Sequence, residues 1–449
     1  MKRTILSMAV ASALATTLMA DAQTDELREQ LKALTERLNA VETQNKETDE
    51  KTNTLIEETA NLQTGFAFDV LDTDFSHNGM GVAASKVYNS KSPLSIGGYG
   101  EMFYANKKDA DNIVDVYRFI PYIGYKFTDN IILNTELEIE HGGADGSDNS
   151  GKVVIEFFYL DFLLSDSFNI QVGNILTPMG IVNLLHEPVL FNTVQRPNVE
   201  KALLPSTWNT NGVMAYGNIG ESGFTYNAGI IQALDFNNGD SGEKGQIRSA
   251  RAGSSKDSVF NNAAFVGRLD YIGSPGLMLG ASLYHGTSTQ GSASGTTATM
   301  YDIHATYENS GFKAKALYTA TKIANADKIA NASFLQDGTT AATGKSITDA
   351  NGYYVNVEYD LLNKSNSQYK LPVFVQYDYI NPTDNVVDAS NSNVAVDVNA
   401  ESATTTVGLN FFPHEQVVLK ADYAMTEYKN ASATSQDQDI FSLSLGFIF

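Results

Sequence analysis

From Leu94 onward, apolar and polar side chains alternate with a period of two, which is the spacing of a β-strand. In the segment 133–140, mostly apolar side chains alternate with Asn134, Glu136, Glu138 and Glu140. A row of carboxylates cannot face a dry core, because burying unpaired charges is costly. It can face a water-filled interior while the apolar row faces lipid. The pattern therefore predicts membrane-spanning β-strands.

The connections between about sixteen such segments alternate strictly between short and long. The short ones are 128–130, 165–167, 218–222, 274–275, 309–310, 364–370 and 413–414. The long ones are 106–114, 141–151, 175–210, 235–258, 287–297, 324–350, 382–401 and 429–437. An antiparallel barrel with short periplasmic turns and long outer loops gives this pattern, whereas a soluble β-sandwich would scatter its loop lengths. The predicted fold is all-β: a transmembrane antiparallel β-barrel over residues 94–449, preceded by a short periplasmic α-helical coiled coil.

The last predicted strand has one apolar face and one face with mostly smaller, more polar side chains. The apolar face carries Phe441, Leu443, Leu445, Phe447 and Phe449. A C-terminal phenylalanine after such alternation resembles the recognition signal for barrel assembly in bacterial outer membranes.

The N-terminus has the three parts of a secretory signal peptide. Lys2 and Arg3 precede a short apolar stretch, 5–18, and Ala20-Asp21-Ala22 is an A-x-A cleavage site. We expect residues 1–22 to be removed after Ala22 and the protein to reach the bacterial outer membrane. A short anchor helix is the alternative.

Residues 23–64 have a different period. Apolar side chains recur in steps of four and three, at Leu27, Leu31, Leu34, Leu38 and Val41. This spacing predicts a parallel coiled coil that joins subunits, or alternatively an amphipathic helix lying on its own protein. Residues 65–93, rich in glycine, serine and proline, are predicted to be a linker.

Composition narrows the function. The chain has 30 basic and 52 acidic residues, a net charge of −22, so a nucleic acid partner is not expected. The absence of cysteine excludes disulfides and cysteine-based zinc sites. The six histidines lack metal-binding spacing, so no metal, cofactor or catalytic residue is expected. Asp145, Asp148 and Asn149 offer divalent-cation ligands in one long loop, or simply keep that loop soluble.

The loop 175–210 is long but apolar and proline-rich, with Pro178, Leu184, Phe191 and Trp208 among its residues. Such a loop is expected to fold into the barrel and pack on its wall. Here the sequence resembles the phosphate-selective porin O and P family. The resemblance rests on Gln171-Val172-Gly173, Thr177-Pro178-Met179-Gly180, Leu204-Pro205 and Gly212-Val213-Met214. It implies an inward third loop that narrows the pore and a trimeric assembly. The stretches 83–88 and 94–101 look like porins of this type that carry an N-terminal coiled coil.

The charges depart from that family, whose phosphate-selective members line the pore with an arginine ladder and a lysine cluster. The alternation directs few basic residues inward: Arg118, Lys126, Arg268, Lys313, Lys315 and Lys420. It directs more acids inward: Glu101, Glu136, Glu138, Glu140, Asp270, Asp302, Glu308, Glu358, Asp360, Asp378 and Asp422. Rings of carboxylates favour cations, so the lumen as a whole argues against phosphate.

Selectivity is decided at the narrowest point, where the loop offers a nearly balanced set of candidate gate residues. These are His186, Glu187, Arg196, Glu200 and Lys201. A basic cluster in the next long loop either attracts anions at the mouth or is merely solvated. It consists of Lys244, Arg248, Arg251 and Lys256.

The sequence therefore predicts a passive diffusion channel for small hydrophilic solutes and ions, weakly selective, surrounded by outer-membrane lipid, with no covalent chemistry. The alternatives are an anion- or phosphate-selective channel, a surface adhesin or envelope tether, and a barrel-embedded hydrolase.

Overall fold

The computed structural model describes residues 22–64, 71–108, 110–143, 151–236, 246–251, 260, 262–288, 294–336, 344–394, 401–429 and 438–449. The chain divides into two units, Met1–Phe68 and Asp69–Phe449. The predicted signal peptide up to residue 21, residues 65–70 of the predicted linker and the candidate cation ligands of the loop 141–151 lie outside the described residues.

The described residues of the first unit form one helix, α1 (Ala22–Thr64), of 43 residues. Its apolar residues are exposed: Leu34 is 67% and Leu38 is 59% accessible. The helix predicted from the steps of four and three is therefore present, and its pairing with other chains stays a prediction. No helix in the described part of the chain is both long and apolar enough to cross a membrane.

The second unit is a closed antiparallel barrel in which each strand pairs with its sequence neighbours and β1 pairs with β16. The first eight strands are β1 (Leu94–Lys107), β2 (Ile113–Thr128), β3 (Ile131–Glu140), β4 (Val153–Ser165), β5 (Phe168–Leu176), β6 (Asn209–Asn218), β7 (Phe224–Gln232) and β8 (Ala263–Ser274). The last eight are β9 (Leu277–Ser288), β10 (Thr296–Asn309), β11 (Phe312–Ala324), β12 (Lys345–Asp360), β13 (Pro372–Asp388), β14 (Ser402–His414), β15 (Val417–Tyr428) and β16 (Gln438–Ile448). Turns of two to five residues join β2 to β3, β4 to β5, β6 to β7, β8 to β9, β10 to β11 and β14 to β15. The connection 361–371 between β12 and β13 is longer than the connection 108–112 between β1 and β2, so the predicted strict alternation of short and long connections fails there. The predicted sixteen-stranded barrel is confirmed.

Side chains alternate across the barrel wall as the sequence predicts. On β3, Ile132, Asn134, Glu136 and Glu138 are buried inside the barrel, and the residues between them face outward. One irregularity lies on β4, where the register with β3 shifts between Thr135 and Leu137. Such a bulge inserts an extra residue and breaks the period of two. The alternation of buried and exposed side chains along β4 therefore changes at this point.

Residues 71–93 lie inside the barrel unit and contain helix α2 (Val82–Asn89), most of whose residues are buried. This helix packs against β1, β2 and β3. The structure corrects the predicted linker here, since from residue 71 the chain is a packed lumenal segment. A helix this short is marginal by itself, and contacts with the barrel wall stabilise it.

Polar contacts fix the lumenal segment to the wall. The Asn134 Nδ2 donates to the Ala84 carbonyl at 2.9 Å, and the Tyr88 hydroxyl donates to Asp161 at 2.8 Å. At the end of α2, Lys126 Nζ donates to the Ser90 carbonyl at 2.6 Å. Lys126, predicted to line the pore, therefore holds the lumenal segment.

Three short helices lie in the described parts of the long loops. They are α3 (Asn198–Ala202), α4 (Ile247–Ala250) and α5 (Asp327–Gln336). The first belongs to the connection between β5 and β6, residues 177–208, which we call the third loop. The second belongs to the connection between β7 and β8, which we call the fourth loop.

Candidate pore constriction

The third loop folds into the barrel interior, as its apolar composition predicts. Trp208 and Met179 are each only 1% exposed. The two ends of the loop are joined through Asn183, whose amide donates to the Thr177 carbonyl at 2.6 Å and whose side-chain oxygen accepts the Trp208 N–H at 2.7 Å. The loop is therefore a folded partition across the lumen rather than a surface loop.

Inward charges of the wall hold the backbone of this loop. Lys420 Nζ donates to the carbonyls of Phe191 and Thr193 at 2.7 and 3.0 Å, and the Asp422 carboxylate accepts the Val194 N–H at 2.6 Å. Backbone N–H and C=O groups need partners when they are buried, and the wall charges supply them. These two predicted pore-lining residues therefore act first as anchors.

The same arrangement recurs around the barrel. Lys315 Nζ donates to the Leu190 carbonyl at 2.6 Å, Arg268 donates to the Gly180 carbonyl, and Asp302 accepts the Gly180 N–H at 3.1 Å. Arg268 also forms an ion pair with Asp270, 2.6 Å away. On β12, Glu358 accepts a hydrogen bond from Asn192 of the loop.

Three of the five candidate gate residues also anchor the loop. Glu200 is fully buried, and its carboxylate accepts the N–H groups of Ile181 and Val182 at 2.8 and 2.6 Å and the Tyr354 hydroxyl at 2.6 Å. Burial raises the pKa of Glu200, although these hydrogen bonds act in the opposite direction. Its position indicates that it fixes the fold of the loop.

Glu187 and His186 are buried in the same way. The Glu187 carboxylate accepts the N–H groups of Ala83 and Ala84, at the start of α2. His186 Nε2 lies 3.2 Å from Glu136 Oε1 on β3. The predicted gate residues Glu187 and His186 therefore connect the third loop to the lumenal segment and to the wall.

The other two candidates, Arg196 and Lys201, face a cavity of about 240 Å³ at the long-loop end of the barrel. The fourth loop contributes Arg248 and Arg251 to the same cavity. Arg248 donates to the Lys201 carbonyl at 2.7 Å, so α4 lies directly on the third loop. The two described members of the predicted basic cluster therefore line this cavity together with Arg196 and Lys201. Lys244 and Lys256 lie outside the described residues.

This cavity has an excess of positive charge. Its lining contains six basic side chains and two carboxylates. The basic side chains are Arg118, Lys152, Arg196, Lys201, Arg248 and Arg251. Both carboxylates have basic partners, because Glu101 pairs with Arg118 at 2.9 Å and Glu140 with Lys152 at 3.0 Å. Lys152 also lies 3.3 Å from Glu138, another predicted pore-lining residue.

Burial and neighbouring cations lower the proton affinity of two side chains of this cavity, Lys201 and Arg248. Burial and the nearby Arg248 guanidinium lower the pKa of Lys201. Burial and Arg251 lower the pKa of Arg248 to about 10, which leaves it charged at neutral pH. Like charges and desolvation both disfavour the protonated form, so this cluster gains from a bound or passing anion.

A second cavity of about 290 Å³ adjoins the first, since Gln195, Arg196 and Lys201 line both. Its far wall carries Asp378 and Asp422. Arg196 and Lys201 thus stand at the point shared by the two cavities of the long-loop end. The third loop separates them from the short-turn end.

Two further cavities lie at the short-turn end. One, about 670 Å³, is lined by residues of the lumenal segment and by Arg268 and Asp270. The other, about 410 Å³, is lined by the predicted pore residues Lys313, Lys315 and Glu358. Its charges are mixed. The structure therefore distributes the predicted pore-lining residues among several vestibules and loop anchors.

Sequence reasoning missed two inward acids on β4, Glu156 and Asp161, both buried. The bulge opposite Thr135 turns Glu156 and the following Phe157 inward together, which the period of two does not reveal. Sequence reasoning also left the position of Arg248 and Arg251 undetermined, because no local sequence pattern shows where a long loop packs.

Comparisons with known proteins agree with this architecture. The profile of the family described as phosphate-selective porin O and P matches residues 123–449. An uncharacterized protein of Aquifex aeolicus (strain VF5) is 32% identical over 379 residues, covering 83% of each chain. Among solved structures, the anion-selective porin from Comamonas acidovorans is similar with a TM-score of 0.51 and 14% identity, covering 79% of this chain and 99% of that one. The Salmonella typhi OmpF in complex with Daunomycin is similar with a TM-score of 0.52 and 11% identity, covering 79% and 97%. The family profile and the sixteen-stranded barrel with its inward third loop together place this chain in the phosphate-selective porin O and P family.

Proposed function

We propose that the protein is a passive outer-membrane channel whose constriction favours small hydrophilic anions. The proposal rests on the six basic and two acidic side chains that line the cavity of about 240 Å³ at the long-loop end of the barrel. Selectivity is set where the path is narrow, because a low-dielectric wall focuses the local field there. The acidic balance of the whole chain then matters less than the few charges at this point.

The position of the inward acids supports this preference over a cation-leaning channel. Glu200 and Asp422 bind backbone N–H groups of the third loop, and Glu101 pairs with Arg118. Their charge is thus partly offset where it lies. Arg196 and Lys201, by contrast, line both cavities at the long-loop end.

The test is the reversal potential of the purified full-length protein in a planar bilayer under a KCl gradient. We expect a clear preference for chloride, and competition by phosphate as a multivalent anion. A preference for potassium would overturn the proposal and restore the weakly selective or cation-leaning interpretation. Absence of any single-channel conductance would favour the adhesin or tether.

The assembly is part of the same proposal. We infer that α1 pairs with two further copies through Leu31, Leu34 and Leu38, which gives a homotrimer with a periplasmic coiled coil. The exposure of these leucines in the single chain supports it, because apolar side chains in register need a covering surface. We also infer that residues 1–22 are a signal peptide; mass spectrometry of the mature protein should find Gln23 at its N-terminus.

A further inference from the structure

A cluster of three potential metal ligands lies where the third loop meets the wall. Glu136 on β3, Glu156 on β4 and His186 on the third loop place one ligand atom each within 4.8 Å of one another. All three are buried, with exposures of 0%, 3% and 1%. Groups of this kind are unfavourable away from water unless a cation or proton compensates them.

The hydrogen bonding of His186 fixes which of its nitrogens is available. Nδ1 lies 2.8 Å from the Asn183 carbonyl oxygen, which can only accept. Nδ1 therefore carries a hydrogen, and in the neutral ring Nε2 presents a lone pair towards Glu136 Oε1, 3.2 Å away. A histidine that donates to a backbone carbonyl through one nitrogen and faces carboxylates with the other has the usual geometry of a metal ligand.

The two carboxylates add a second, independent observation. Oε2 of Glu136 and Oε2 of Glu156 are both buried without a hydrogen-bond partner among the described residues. One carboxylate oxygen of Glu136 and one of Glu156 lie within 4.8 Å of each other. Two adjoining carboxylates and a nitrogen lone pair converge on one point, where a bound cation would offset their charge. Arg196, which donates to the His186 carbonyl at 3.1 Å, supplies part of that offset from beside the cluster.

The surroundings keep water away from this point. Tyr99, Tyr122 and Phe157 pack around the cluster, with ring centroids of Tyr122 and Phe157 5.7 Å apart and those of Tyr99 and His186 also 5.7 Å apart. The Tyr122 hydroxyl lies 3.4 Å from His186 Nε2. The bulge on β4 is what brings Glu156 to the inner face.

We propose that Glu136, Glu156 and His186 bind one divalent transition-metal ion, with Zn²⁺ as the best match, and that this ion fastens the third loop to β3 and β4. Zn²⁺ takes imidazole nitrogen and glutamate oxygen at about 2.0–2.2 Å in a tetrahedral site. Its charge balances the two carboxylates. The ligands come from three separate segments of the chain, so no local sequence spacing reveals the site.

The experiment starts from full-length protein that is unfolded in the presence of a chelator to remove any metal. The protein is then refolded into detergent with Zn²⁺ or Co²⁺, and unbound metal is removed. We expect about one metal ion per chain by elemental analysis and visible absorption of tetrahedral Co²⁺. Refolded wild-type protein without bound metal would overturn the proposal, and a proton shared by the carboxylates would then compensate the cluster.

Variants locate the ion. Glu136→Gln and Glu156→Gln should each weaken metal binding more than about 100-fold, since loss of an outer partner alone costs about 10–100-fold. Glu138→Gln is the matched control, because Glu138 lies on the same strand and pairs with Lys152 instead. Equal loss in the control would contradict the assignment. Heat-dependent gel mobility checks that each variant is folded, and the two substitutions lie on different strands, so either folded one is informative.

Discussion

The carboxylate of Glu187 on the third loop accepts the backbone N–H of Ala84 at 3.0 Å, at the start of helix α2. Its second oxygen accepts the N–H of Ala83 at 3.2 Å, and the Gly81 N–H donates to the Leu184 carbonyl at 3.0 Å. The first N–H groups of a helix have no partners within the helix. The third loop therefore caps helix α2, and the two segments stabilise each other.

Replacement of Glu187 by alanine should loosen both pieces. We expect a loss of about 1–2 kcal/mol in the free energy of unfolding, which is typical for removing a capping side chain. Single-channel conductance should rise, because the lumenal segment loses one attachment. The measurements are urea unfolding followed by gel mobility and bilayer recordings. Glu221→Ala in an exposed short turn is the control, and equal behaviour of the two variants would contradict the capping role.

Gly124 on β2 provides space for the lumenal helix. A side chain at this position would collide with Val87 of α2. Gly124→Leu should therefore dislodge the lumenal segment and cost about 1–3 kcal/mol, the range for overpacking. Lower unfolding midpoint and altered conductance are the expected results. Ala281→Leu, on the outward face of β9, should change neither, and an unaltered Gly124→Leu variant would show that the helix does not need this space.

Much of the barrel could be predicted because strand alternation and short turns depend on residues that are close in sequence. The alternation at Glu136 and Glu138 follows from a strand between water and lipid, and short turns repeat at one end. The inward third loop was also predictable from Trp208 and its other apolar residues. The linker prediction was wrong from residue 71, because the short helix α2 is stabilised by distant wall contacts.

The candidate site could be predicted only in part. The sequence indicates that Lys420 and Asp422 point inward. It does not indicate that both side chains form hydrogen bonds with the backbone of the third loop. Likewise Arg248 reaches Lys201 through contacts between two loops that no sequence period encodes. The charge of a pore depends on such pairings, and these require the folded structure.

The exposed leucines of α1 give a test of the assembly. Leu34→Asp with Leu38→Asp should weaken the oligomer, because a charge in an apolar seam is poorly solvated. Loss of the slow-migrating species on unheated gels is the expected result, as for deletion of residues 23–64. Glu36→Gln on the same helix should leave it intact. An unchanged oligomer in the double variant would mean that α1 serves another purpose.

The fourth-loop arginines should set part of the anion preference. By Coulomb's law, a unit charge about 7 Å from a passing ion changes the energy of that ion by about 0.6 kcal/mol in a water-like dielectric. The change has opposite sign for chloride and potassium, so removing the charge alters their permeability ratio about sevenfold. Arg248→Gln and Arg251→Gln should each lower the chloride-to-potassium ratio by about this factor, measured as reversal potential. Lys364→Gln makes the same charge change in an exposed short turn and should have little effect. Equal shifts from the control would indicate a general surface effect.

Lys201 should make the selectivity depend on pH. Burial and the Arg248 guanidinium lower the pKa of Lys201, so it loses its proton at a lower pH than an ordinary lysine. The charged form exists below that pKa, and anion preference should therefore be full at neutral pH and decline as pH rises towards the usual lysine value of about 10.4. Reversal potentials at a series of pH values between neutral and about 9 measure the decline, since Arg248, with a pKa of about 10, stays mostly charged in that range.

Two variants separate Lys201 from the other cations of the same cavity. Lys201→Arg keeps a positive charge throughout this range and should abolish the decline while preserving the preference. Lys201→Met should lower the preference at neutral pH and also remove the pH dependence. A wild-type profile that is flat up to about pH 9, or a decline that persists below that pH in Lys201→Arg, would show that Lys201 does not face the ion path. Because Lys201 lines both cavities at the long-loop end, this titration reports directly on whether the two cavities carry the current.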